Sequence, residues 1–113
     1  MIFHPVAAAS QLVEGRGFVA EIEDRAIVLF RSGETIFALD NICPHQGARL
    51  AHGRVTNGIV SCPLHGGKFV LATGECRTPN IAGSRKVVTH TVRIVDGQVE
   101  VALSPEPVTQ PLV

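Results

Sequence analysis

Two short segments carry residue types that bind metal: Cys43-Pro44-His45 and, after sixteen intervening residues, Cys62-Pro63-Leu64-His65. Each offers one soft thiolate and one imidazole. Each runs on into glycine, as Cys-Pro-His-Gln-Gly and Cys-Pro-Leu-His-Gly-Gly, which marks tight loops. Two Cys and two His suit a [2Fe–2S] centre in which histidines replace two cysteines on one iron. They also suit zinc, which closes a tetrahedral site with two of each. Cys62-x-x-His65 fits zinc spacing well, whereas Cys43-x-His45 is shorter than the usual pair. The plainest alternative is four unrelated core and surface positions.

Charge arithmetic separates these chemistries. Two ferric irons and two sulfides carry about +2, and two thiolates bring the site to about zero. Four thiolates would leave it about two charges more negative, so histidine ligation eases electron uptake and raises the potential. Imidazoles can also exchange a proton as the site changes charge. Cys76 is left over, and it is expected to pack as a small apolar side chain.

The remaining composition narrows the function. The 113 residues make one domain, 1–113, large enough for its own core. Hydrophobic residues reach 45% but aromatics only 4%, with no Trp or Tyr, so the core is aliphatic with a few Phe. Ten basic residues balance ten acidic ones, which argues against nucleic acid. No apolar run approaches a membrane span, and the N-terminus lacks the pattern of a secretion signal. A cytoplasmic location suits a thiol-ligated site.

The elements that must position these loops read as strands. Phe18–Ile22, Ala26–Phe30 and Thr35–Leu39 have strand composition, with a turn at Ser32-Gly33-Glu34. Asn57-Gly58 joins Arg54-Val55 to Ile59-Val60, and Asp96-Gly97 joins Lys86–Val95 to Gln98–Leu103. Ser10–Val13 suggests a helical turn with Ser10 as N-cap. The expected fold is all-β, an antiparallel sandwich or barrel. Residues 41–83 form an inserted cluster-binding subdomain on a base of about 1–40 and 84–103. The proline-bearing tail, 104–113, is expected to be extended or frayed.

From Val6 to Leu103 the chain resembles Rieske-type [2Fe–2S] ferredoxins. The motifs are Cys-Pro-His-x-Gly-Ala, Cys-Pro-x-His-Gly, then Phe69 and Thr73-Gly74. The resemblance is strongest to the ferredoxin component of bacterial aromatic-ring-hydroxylating dioxygenase systems. It implies a Rieske-like sandwich, with Cys43 and Cys62 on one iron and His45 and His65 on the other through Nδ1. It further implies that Arg77-Thr78-Pro79-Asn80 is a third loop covering the cluster. High-potential relatives carry a Cys–Cys pair where this chain has Ala48 and Leu64. They also carry Ser and Tyr where it has Gly67 and Phe69. These departures imply the soluble, low-potential branch.

The implied role is to carry single electrons from an NAD(P)H-dependent flavin reductase to a terminal Rieske non-haem iron oxygenase, as a monomer. A terminal oxygenase needs a second iron on two His and a carboxylate. Only His4, His52 and His90 remain, scattered, and no nucleophile–base pair is evident, so no catalytic residue is expected. His4 and His90 read as surface or strand residues, and His52 could line the docking rim. Arg49 and Lys68 are the charges nearest the loops. The alternatives are a small Rieske subunit of a nitrite or arsenite type oxidoreductase, or a zinc module.

Overall fold

The computed structural model describes residues 1–44, 48–63, 66–78 and 86–105. Within them the chain forms strands β1 His4–Ala8, β2 Phe18–Ile22, β3 Arg25–Ser32, β4 Thr35–Asp40 and β5 Arg54–Thr56. Strands β6 Ile59–Ser61, β7 Lys68–Val70, β8 Thr89–Val95 and β9 Gln98–Ala102 follow. A six-stranded sheet has the order β1-β9-β8-β4-β3-β2, and a three-stranded sheet the order β5-β6-β7. Every strand pairing is antiparallel. The three-stranded sheet comes from the chain between β4 and β8.

Hairpins set the register. Asn57 and Gly58 both take positive φ, 52° and 74°, as a type I′ turn requires. Asp96-Gly97 turns in the same way between β8 and β9. A third such turn joins β2 to β3 at Glu23-Asp24, with φ of 49° and 64°. Neither residue there is glycine, so the turn has no strong sequence signal.

The apolar run in β3 is buried on both faces: Ile27, Val28, Leu29 and Phe30 are all 0% exposed. Alternation sorts them. Ile27 and Leu29 join Ile36, Ala38, Val99 and Val101 in the core of the large sheet. Val28 and Phe30 join Leu39, Cys43, Leu50, Val60, Cys62, Phe69 and Leu71 in a second core under the loops. Strands β3 and β4 are therefore a wall shared by two cores.

The sequence expectations need adjustment at four places. Strand β1 has no counterpart among the strands read from the sequence, and it contains Pro5. It forms at the sheet edge, where a missing N–H is tolerated, and its register shifts between Pro5 and Ala7. Strand β7 is too short to show a pattern. Strand β8 starts at Thr89 rather than Lys86. The helical turn is a 3-10 turn, Ala9–Gln11, and Ser10 does not cap it. Instead Ala8 N–H donates to Gln11 Oε1 at 2.8 Å.

Beside the start of the first loop lies a polar knot. Asp40 Oδ1 is 2.8 Å from His90 Nε2 and 3.3 Å from Arg25 Nη2. Ser104 N–H donates to His90 Nδ1 at 3.0 Å, so Nδ1 carries the lone pair and Nε2 carries the proton given to Asp40. Arg25 Nη1 donates to Ser104 O at 2.6 Å, and Ser104 Oγ donates to Thr89 O at 2.6 Å. His90 is thus a strand residue, as expected, but its ring is fully enclosed. The start of the tail is tied down at Ser104, and residues 106–113 lie outside the described residues.

Candidate metal centre

The first loop leaves β4 through Asn41 and Ile42. Asp40 N–H donates to Val88 O and Asn41 N–H to Ala26 O, each at 2.9 Å, so the chain enters the loop from a fixed point. Cys43 N–H donates to Ala48 O at 2.7 Å and closes the loop. The second loop closes in the same way: Cys62 N–H donates to Gly67 O at 2.6 Å. In both, the cysteine amide bonds the carbonyl five residues on.

Both cysteines are buried, Cys43 at 1% and Cys62 at 3% exposure, in the same apolar core. None of the three cysteines is in a disulfide. Two buried thiols from two separately closed loops are a donor set that fits one iron of a [2Fe–2S] group. His45 and His65 lie outside the described residues, as do Gln46, Leu64, Pro79 and Asn80.

Neighbouring residues hold this arrangement. Phe69 pairs with Val60 across β6–β7, is fully buried, and bridges to Cys76. Cys76 packs against the same core, as expected for a small apolar side chain, and its Sγ donates to Thr78 O at 3.3 Å. Arg77 N–H bonds Lys68 O at 2.7 Å, and Lys68 N–H bonds Thr78 Oγ1 at 3.1 Å, which seats the start of the third loop on β7. Gly74 is required where it stands. Its φ is +78°, and a Cβ would lie 2.0 Å from Val87 O.

Three residues near the first loop are exposed: Ile42 at 51%, Arg49 and His52. Lys68 is exposed on β7. Ile42 and Asn41 were not singled out from the sequence. Their signal is position, immediately ahead of a candidate ligand. Asn41 Oδ1 accepts Ala51 N–H at 2.8 Å, while its buried Nδ2 has no hydrogen-bond partner among the described residues. Such an orphan costs about 1–3 kcal/mol.

This fold and these paired loops define a small iron–sulfur domain. Residues 2–100 match the Rieske [2Fe-2S] domain, and the chain belongs to that family. Its cofactor is a Rieske-type [2Fe–2S] cluster, not zinc. The chain is 37% identical over 99 residues to the anthranilate 1,2-dioxygenase ferredoxin subunit of Burkholderia cepacia, covering 88% of this chain and 90% of the relative. The ferredoxin of carbazole 1,9a-dioxygenase from Nocardioides aromaticivorans IC177 has the same fold. Its TM-score is 0.84 at 24% identity, over 92% of this chain and 100% of that one. A ferredoxin solved in complex with the oxygenase of carbazole 1,9a-dioxygenase matches with a TM-score of 0.81 at 26% identity, over 89% and 93%.

Proposed function

We propose that this protein carries single electrons from an NAD(P)H-dependent flavin reductase to a terminal Rieske non-haem iron oxygenase, in the cytoplasm and as a monomer. The observation that carries this reading is the burial of Cys43 and Cys62 in one core beneath two loops closed alike. The relative that is a dioxygenase ferredoxin subunit, and the structure of a ferredoxin bound to an oxygenase, support the choice of partner.

In this reading Cys43 and Cys62 hold one iron and His45 and His65 the other. The bound group supplies a site that takes up and releases one electron. The chain's own residues do the rest. The apolar core of Val60, Phe69 and Leu71 keeps water from the thiolates. The two amide closures fix the cysteine backbones, so little rearrangement accompanies a change of charge. Segment 41–83 acts as the cluster-binding unit on the base, a division supported by the three-stranded sheet it contains.

The test is electron transfer in a reconstituted system. Anaerobic protein should show the visible and EPR spectrum of a Rieske centre, accept electrons from NADH through a flavin reductase, and support turnover by a terminal oxygenase. A shuttle must release its partner, so the complex should be weak and bury less than about 1,200 Å². A permanent, stoichiometric complex with a nitrite or arsenite type enzyme would overturn the shuttle role.

A further inference from the structure

Asn41 is 3% exposed and stands two residues before Cys43. The amide of Ala51 can only donate, so Asn41 must present its oxygen to it, and Nδ2 must point elsewhere. The backbone is held too, since Asn41 N–H donates to Ala26 O at 2.9 Å. Locked at both places, the side chain cannot swing out to find water. Ala51 packs against the core that contains Cys43 and Cys62, and Leu50 belongs to it. A donor kept without an acceptor in such surroundings is rare in folded proteins.

We propose that Asn41 Nδ2 is a hydrogen-bond donor to sulfur of the iron–sulfur group, and so a residue that sets its reduction potential. This rests on the proposal that Cys43 and Cys62 hold that group. Thiolate and sulfide are acceptors, and they accept more strongly when an added electron increases their negative charge. The donor therefore favours the reduced state. Gly67 and Phe69 offer no hydroxyl as donors.

The test compares midpoint potentials of wild type, Asn41→Leu and Asn41→Asp, after EPR has established that each carries a Rieske centre. Asn41→Asp keeps an oxygen for Ala51 and removes the donor. It also adds a negative charge that lowers the potential by itself, so a downward shift counts for the donor only when the neutral Asn41→Leu shows it too. Both variants should shift downward. At the wild-type midpoint the ratio of oxidised to reduced protein should rise about three- to tenfold, tenfold being 59 mV for one electron. Should Asn41→Leu fail to load, wild type labelled with amide-¹⁵N asparagine decides. Pulsed EPR of the reduced form should show a coupled ¹⁵N that survives Asn57→Asp and Asn80→Asp. An unchanged potential in Asn41→Asp, or no coupled nitrogen, overturns the donor role and leaves the ligand assignment standing. Wild type without a Rieske EPR signal overturns both.

Discussion

Cys43 and Cys62 are buried side chains of one apolar core, although their loops leave different sheets. The other thiol packed against this core, Cys76, has its Sγ turned to Thr78 O and does not replace either one. Cys43→Ala and Cys62→Ala should each abolish the visible colour and the bound iron and sulfide. Cys76→Ser should retain both, because Cys76 packs at the edge of that core and its Sγ bonds Thr78 O, a bond a hydroxyl can keep. Iron and sulfide analysis of the purified variants checks this, and loss of colour in Cys76→Ser would refute the ligand assignment.

The potential should lie at the low end of the Rieske range, about −150 mV against an upper limit near +300 mV. Hydroxyl donors to sulfur raise it, and positions 67 and 69 have none. Gly67→Ser and Phe69→Tyr should each move the midpoint upward where the new hydroxyl reaches sulfur. Phe69 is fully buried, so its tyrosine variant adds a polar atom that needs a partner. Protein-film voltammetry measures both, and a wild-type midpoint well above zero would contradict the low-potential assignment.

Asp40 accepts from a fully enclosed His90 ring and from Arg25, so removing it takes the acceptor from the buried His90 Nε2–H, while Arg25 keeps its bond to Ser104 O. Asp40→Ala should cost about 2–4 kcal/mol in denaturant unfolding of the loaded protein. Asp40→Asn, which retains an acceptor oxygen, should cost less.

Gly74→Ala combines an unfavourable positive φ with a clash against the carbonyl of Val87. The expected loss is about 1–3 kcal/mol. The neighbouring Ala72, exposed in the same turn, tolerates Ala72→Ser within about 0.5 kcal/mol. Parallel melting curves of the two variants give the comparison.

The two faces of β3 should separate stability from cluster retention. Leu29→Ala opens the core of the large sheet and should cost about 2–5 kcal/mol with little effect on the rate of iron loss. Val28→Ala opens the core around the cysteines and should cost about 1.5–3 kcal/mol while speeding iron release to a chelator. Equal rates of iron release in the two variants would mean the wall does not separate the cores.

What the sequence revealed follows from how local each signal is. Asn57-Gly58 and Asp96-Gly97 announce their hairpins because few other pairs take two positive φ values without strain. Glu23-Asp24 makes the same turn with no such mark. Ala26 to Phe30 showed as an apolar run, but its double burial depends on elements far along the chain. The two candidate loops stood out because Cys and His at such spacing have few other uses. Asn41 was not, because a polar residue before a loop is ordinary until its burial and its one-sided bonding to Ala51 are known. The burial of His90 likewise carried no signal, since its partners Asp40 and Ser104 are not its neighbours in the chain.

The matching closures at Cys43–Ala48 and Cys62–Gly67 give both loops the same span, although the histidine comes two residues after the cysteine in one and three in the other. The frame is therefore independent of where its second donor sits. One amide-to-carbonyl bond across five residues thus fixes the cysteine at the head of each loop and leaves the spacing of the residues behind it free.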